Sequence, residues 1–378
     1  MIHLYDNLMK EVYKGIEGKN GSIPFPVAKL DEYIDIAKNT NYLIVGDTGS
    51  GKSTIAQDLI LNILDWYYLN QTDDLKLSII YFGMERKQYN YSAKWVSRML
   101  FINEGIYIPV RKILGRMRKR DSNGKLTAEY DTLSPKEVKK VEFYAKKFNL
   151  WQRDDTFICI EGTHNPTGIK VFIDKFALQH GHMEEKAEGP LSKPKYIPNH
   201  SNHIVLIATD YVGVLEKERG DGESKKKDRL DVFSSGMRKA RDVYGFSPIN
   251  IQQLSRQLGD STRLKLNDVK PKLIDIADTS ELARDSDVCL AIFESWRYLP
   301  QDTETDLIGY NLHKLKDEKG YKYYRSLHIL KNSFEGDGIV MGCAFHPQTG
   351  IIKPMPKSPK DMTDEDYKSI TDGSWFLT

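Results

Sequence analysis

Between Gly46 and Ser53 the chain reads Gly46-Asp47-Thr48-Gly49-Ser50-Gly51-Lys52-Ser53, and few stretches this short constrain a fold so tightly. The glycines let the backbone curl, so that successive N–H groups point inward at a bound anion. An apolar run, Tyr42–Val45, precedes the loop, and a helical pattern from Thr54 to Leu64 follows it. Strand, loop and helix together form a cradle for the phosphates of ATP, with the positive end of the helix dipole aimed at them. Lys52 reaches the β- and γ-phosphates, Ser53 offers its hydroxyl to Mg²⁺, and Thr54 continues the cradle into the helix. The flanking strand and helix argue against a chance match.

A cradle of this kind needs a sheet behind it. Six further apolar runs read as strands: LSIIYFG, TFICIEG, HIVLIATDY, PINIQQL, VCLAIFE and RSLHILKN. Segments of helical period separate the earlier ones, among them SAKWVSRMLFI, SPKEVKKVEFYAKKF and TGIKVFIDKFALQH. Alternation of this sort predicts an α/β fold with a doubly wound, mostly parallel central sheet flanked by helices. The last strands follow one another closely, which predicts an antiparallel edge. Two polar stretches, 116–132 and 181–203, read as surface insertions. The histidines in and next to the second, His180, His182, His200 and His203, lack the clustered partners that zinc requires.

Composition narrows the function. The net charge of +2 supplies no global basic field, so any nucleic-acid contact must be local. Cys159, Cys289 and Cys343 are scattered, which fits a reducing cytosol rather than a disulfide framework. Neither a membrane-length apolar run nor a signal-peptide pattern is present, so a cytoplasmic protein without a membrane partner is expected.

Three strand ends carry candidate chemistry. Asp210 closes HIVLIATD, where a carboxylate beside the phosphate loop can hold Mg²⁺. Glu85 follows IIYFGM and can polarise the water that attacks the γ-phosphate; Glu161, at the end of FICIE, is its rival. Gln253 ends INIQQ, where an amide can sense the γ-phosphate.

The order of these parts resembles the RecA-like ATPase domain of DnaB-type replicative helicases, over about Pro24 to Lys353. IIYFGMERKQ is similar to that family's SLEM segment, VRKILGR to its RKLRTGR helix, TDYVGVL to IDYLQLM and QQLSR to SQLNR. The resemblance implies Glu85 as catalytic carboxylate, Asp210 on Mg²⁺ and Gln253 as γ-phosphate sensor. It also implies ATP hydrolysis, a hexameric ring of copies moving on single-stranded DNA in replication, and a primase or loader as partner. The family's KQRNG finger corresponds to Lys331-Asn332-Ser333-Phe334-Glu335-Gly336. Lys331 is kept, whereas a serine stands where the arginine would be, and Arg325 is a candidate substitute. The family's amino-terminal collar is absent, and the compact form suggests a phage or mobile-element origin.

Three units are expected: residues 1–23, a helix and linker suited to docking on a neighbouring subunit; 24–353, the ATPase domain; and 354–378, a polar tail acting as a tether with a sticky Trp375-Phe376-Leu377 end. DNA-contacting cations are expected in two channel loops. Lys225, Lys226, Lys227 and Arg229 belong to the first, and Arg263, Lys265, Lys270 and Lys272 to the second. A solvated charged loop is the plain alternative, since neither carries an aromatic for base stacking. A further basic cluster, Arg111 to Arg120, is not assigned to the channel. Two other readings remain open: a RecA- or KaiC-like ATPase that does not unwind, and a structural partner that binds nucleotide.

Overall fold

The computed structural model describes the chain except residues 1–3, 19, 71–73, 163, 186–193, 219–224, 266–267, 278–279 and 301; at 7, 256, 257, 261 and 265 it describes the backbone alone. Its centre is a nine-stranded sheet. In chain order the strands are β1 Tyr42–Gly46, β2 Lys76–Gly83, β3 Phe157–Glu161, β4 His203–Asp210, β5 Ser247–Gln253, β6 Val288–Phe293, β7 Tyr324–Asn332, β8 Val340–Phe345 and β9 Ile352–Pro354. Across the sheet they run β9-β8-β7-β6-β1-β5-β4-β2-β3. From β6 to β3 every neighbouring pair is parallel, while β6–β7, β7–β8 and β8–β9 are antiparallel. All seven expected strands are present, and the antiparallel edge gains β8 and β9.

The central strands are buried on both faces, which is why they read as continuous apolar runs rather than alternating ones. Tyr42 and Ile44 of β1 pack on one face with Ile55, Leu59 and Ile63 of the helix Lys52–Leu69. Leu43 and Val45 point to the other, against Ile169 and Ile173 of the helix Pro166–Gln179 and Phe233 of the helix Lys226–Tyr244. The two polar insertions each contain a two-stranded hairpin, Arg118–Arg120 with Leu126–Tyr130 and Gly181–Glu184 with Lys195–Pro198.

The carboxyl-terminal stretch departs from the expected tether. It turns through a helix, Asp364–Thr371, started by a capping box between Thr363 and Asp366. Tyr367, Ile370 and Phe376 are buried in a third cluster with Phe101, Tyr310 and Met355. The Trp375 indole donates to Pro354 O at 3.2 Å. Tyr367, Ile370 and Phe376, spaced for packing, are thus held by the domain, Trp375 is half-buried and Leu377 stays exposed.

Three buried histidines bear on stability. His203 and His328 each meet a serine hydroxyl, of Ser78 and Ser326, at 2.9 Å, and His346 meets Thr349 Oγ1 at 2.7 Å. Burial lowers them to about 3, 4 and 4 from an ordinary 6.5. Below the ordinary value the unfolded chain takes up protons that the folded chain refuses, so stability rises with pH through this window and is lost as pH falls through it. The urea midpoint is therefore expected to fall between about pH 7 and about pH 5. A His328→Asn variant should show a shallower fall; an unchanged slope would count against the neutral buried imidazole.

Candidate active site

Parallel registry brings the strand-end residues to one edge. Gly46 is level with both Gln253 and Ile292, and Gly83 with both Asp210 and Glu161. Glu85 follows two residues beyond Gly83. The loop from Gly46 begins in the middle of this row, where β1 is flanked by β5 and β6. Leu254 N donates to Gly46 O at 3.0 Å, tying the end of β5 to the start of the loop.

The loop itself needs its glycines. Gly51 sits at φ 98° as the residue before the helix Lys52–Leu69, a left-handed conformation that a side chain would strain. At Gly49, φ 77°, an added Cβ would lie 2.8 Å from a guanidinium nitrogen of Arg297. Ser50 Oγ donates to Asp47 O at 2.9 Å, and Arg325 Nε donates to Ser50 O at 2.7 Å. Asp47 accepts from the Tyr298 hydroxyl, with Arg297 at 3.6 Å. Gly46, Asp47 and Ser50 thus build the loop from behind.

The cleft before the loop holds about 230 Å³, and Thr48, Gly49, Gly51, Lys52, Ser53 and Thr54 form one wall. Glu85, Asn90, Tyr91 and Lys94 face them, with Asp210 and Gln253 between. Four sequence candidates, Lys52, Glu85, Asp210 and Gln253, therefore share one cavity. Glu161 does not: its carboxylate accepts from Gln88 N at 2.8 Å and pairs with Lys87 at 3.1 Å, capping the helix Gln88–Glu104.

Oxygen donors suited to Mg²⁺ converge at the back of the cleft. Ser53 Oγ donates to Asp210 Oδ1 at 2.6 Å. The Tyr81 hydroxyl and Gln57 Nε2 reach Asp210 Oδ2 at 2.7 and 3.3 Å, fixing the carboxylate in place. Gln57 Oε1 is buried with no hydrogen-bond partner among the described residues. A hydroxyl, a carboxylate and an amide oxygen are the hard donors such an ion takes, so these residues fit it; the ion would neutralise charge on the β- and γ-phosphates.

Burial sets the charges. It lowers the Lys52 ammonium, with the Glu85, Asp210 and Asp47 carboxylates pulling the other way. It raises the Glu85 carboxyl, and the neighbouring Asp210 charge adds to that. A carboxyl raised in this direction is a better proton acceptor than one at its ordinary value, and Glu85, whose side chain is exposed at the cleft, stays open to water. Lys94 donates to Thr54 Oγ1 at 2.6 Å and is lowered to about 8, by burial foremost.

The FtsK/SpoIIIE family model matches residues 19–177. No curated protein matches the chain. Among solved structures, a DnaB-like replicative helicase, studied with its interactions with primase, aligns with a TM-score of 0.59 at 15% identity, over 91% of this chain and 67% of that one. A second solved structure, an ATPase domain, aligns with a TM-score of 0.61 at 16% identity, over 94% of this chain and 99% of that one. The fold is that of a RecA-like P-loop ATPase domain.

Within this RecA-like frame the remaining candidates fall outside the cleft. Lys331 donates to the carbonyls of Ala283, at 3.2 Å, Arg284, at 3.0 Å, and Ser286, closing the end of the short helix Glu281–Asp285. Arg325 is only 5% exposed, bonded to its own phosphate loop and stacked over Phe345. It is thereby removed as a substitute for a finger reaching a neighbouring subunit.

The first channel segment is corrected in part. Lys225 is the residue before the helix Lys226–Tyr244, and Lys226, Lys227 and Arg229 lie in its first turn rather than in a loop. Leu230, Phe233, Met237 and Ala240 supply the buried stripe that makes this stretch helical. Arg229 Nη1 donates to Leu215 O at 2.6 Å. In the second segment, Arg263 turns inward to Asp275, to Asp268 O at 2.8 Å and to Lys270 O at 2.9 Å, so it holds the loop together. Lys272 pairs with Asp268 at 2.7 Å, Lys270 is exposed, and the side chain of Lys265 is outside the described residues.

Sequence reasoning missed Arg297, Tyr81 and Lys94. Lys94 had a signal: a lysine on the apolar face of an otherwise buried helix. Arg297 had a weaker one, its spacing three residues after the strand-end Glu294, with which it pairs at 2.9 Å.

Proposed function

We propose that this chain is an ATP-driven DNA translocase of the DnaB type, a helicase that moves on single-stranded DNA during replication and works as a ring of copies. One observation carries the reading: Lys52, Glu85, Asp210 and Gln253 line one cleft. In the proposed reaction Glu85 accepts a proton from water as the water oxygen bonds to the γ-phosphorus. The bond to the bridging oxygen breaks, and ADP departs with its phosphates held by Lys52 and the loop amides. Gln253 relays loss of the γ-phosphate to the segment after β5, which carries Lys270 and Lys272.

Two further features support the reading. Cations at Lys225, Lys226 and Lys227 sit at the start of a helix, where the dipole disfavours them, so their presence there is consistent with a polyanion partner. No helix among the described residues is long and apolar enough to cross a membrane, which leaves the helix Leu4–Ile16 another use. It exposes Leu4, Tyr5, Leu8, Tyr13 and Ile16 along one stripe, and a neighbouring copy is the proposed cover. Lys331 would act in trans after release from the helix end that it now closes.

ATP turnover measured with and without single-stranded DNA tests the proposal. Severalfold stimulation, with strand separation on a forked duplex, is expected. Stimulation without separation would favour the non-unwinding RecA-like reading, and neither would defeat both.

A further inference from the structure

The hairpin Arg118–Arg120/Leu126–Tyr130 has no part in the cleft. Residues 110–131 carry seven cationic side chains against three acidic ones, a net +4 in a chain whose total is +2. Almost every residue of the two strands is exposed or half-buried. Local contacts hold the hairpin's turn and strands together. Asp121 Oδ1 accepts from Asn123 N at 3.0 Å and Lys125 N at 2.8 Å, fixing the turn. Lys119 pairs across the strands with Glu129 at 2.9 Å, and Arg120 Nη1 donates to Gly124 O at 2.5 Å.

Aromatic rings lie among these charges. The Arg118 guanidinium stacks 4.0 Å from the centre of the Tyr130 ring, and Arg116 sits 5.5 Å from that of Tyr89. Tyr130 is 47% exposed and Tyr89 49%, and Leu126, opposite Arg120 next to the turn, 57%. A cationic surface with half-exposed rings is what an unpaired strand of nucleic acid needs: guanidinium and ammonium groups for its phosphates, and the ring surface left open by the guanidinium groups for its unstacked bases. A duplex would use the charges and leave the rings idle.

We propose that this hairpin is a second binding site for single-stranded nucleic acid, separate from the segments after β4 and β5. Arg118, Lys119 and Arg120 contact phosphates, and Tyr130 stacks on a base. Arg116 also donates to the Tyr89 hydroxyl at 3.2 Å, and Tyr89 precedes Asn90 and Tyr91 of the cleft wall. A strand seated on the hairpin is therefore one contact from the segment that carries Glu85.

The test is fluorescence anisotropy of a labelled oligothymidine with the full chain across a series of salt concentrations. A variant combining Arg118→Gln, Lys119→Gln and Arg120→Gln should reduce the magnitude of the salt slope by about 2, three phosphate contacts on a single strand. Tyr130→Ala should weaken binding at least about fivefold with the slope retained, since stacking is insensitive to salt. Turnover without nucleic acid should be unchanged in both, which establishes that they fold. A Lys225→Gln, Lys226→Gln and Lys227→Gln variant probes the other segment separately. Should that variant abolish binding while the hairpin variants bind as wild type, the hairpin site is refuted and the translocase reading stands. Equal affinity of the hairpin for duplex and single strand, both lost in the hairpin variant, would also overturn it.

Discussion

Replacing Glu85 with glutamine is expected to slow ATP turnover by about 10²–10⁴-fold, the range that a positioned general base supplies. ATP binding should be nearly unchanged, because Lys52, Ser53 and the loop amides remain. The contrast with Glu161→Gln makes the prediction specific. Glu161 is committed to Gln88 N and Lys87 at a helix start, so its loss should lower stability slightly and leave turnover near wild type. Single-turnover hydrolysis of both variants decides between them. A severe defect in Glu161→Gln with normal turnover in Glu85→Gln would reverse the assignment.

The second large effect lies in the core. Arg98 and Asp58 form a buried ion pair, 2% and 1% exposed, joining the helix Gln88–Glu104 to the helix Lys52–Leu69. Arg98 also donates to Asn62, and Asp58 accepts from Ile352 N at 3.2 Å, so β9 is tied in as well. Arg98→Met strands the Asp58 carboxylate in the interior. Removing one partner of such a pair costs about 3–5 kcal/mol, whereas replacing both with apolar residues is often close to neutral. A urea titration should show that loss for Arg98→Met and recovery of most of it in the Arg98→Met/Asp58→Leu double variant. Because one helix begins at Lys52 and the other carries Lys94, the single variant is also expected to weaken ATP binding. If the double variant is no more stable than the single, the stranded charge is not the cause.

The sheet was legible in the sequence for a physical reason. Central parallel strands are buried on both faces, so runs such as Leu77–Gly83 and His203–Asp210 stand out without any alternation. Strand ends place Asp210 and Gln253 without further information, because the loop after β1 defines which edge is functional. What escaped was whatever depended on contacts distant in sequence. Tyr81 reads as an ordinary strand residue until Asp210, 129 residues away, accepts its hydrogen bond. Arg325 reads as a free cation until it meets Ser50, 275 residues away. The tail 354–378 hid its packing because a few buried side chains, Tyr367, Ile370 and Phe376, are spread through polar sequence. Lysines at the start of Lys226–Tyr244 disguised a helix as a loop, since local charge disfavours what the Leu230–Ala240 stripe then stabilises.

Titration calorimetry of Mg²⁺·ATP into the wild-type chain and into Lys52→Ala tests most directly that this cleft is where the phosphates bind. One site per chain is predicted for wild type, with binding lost in Lys52→Ala while its circular dichroism stays native. Equal affinity in the two proteins would place the nucleotide elsewhere and remove the basis for the roles given to Glu85, Asp210 and Gln253.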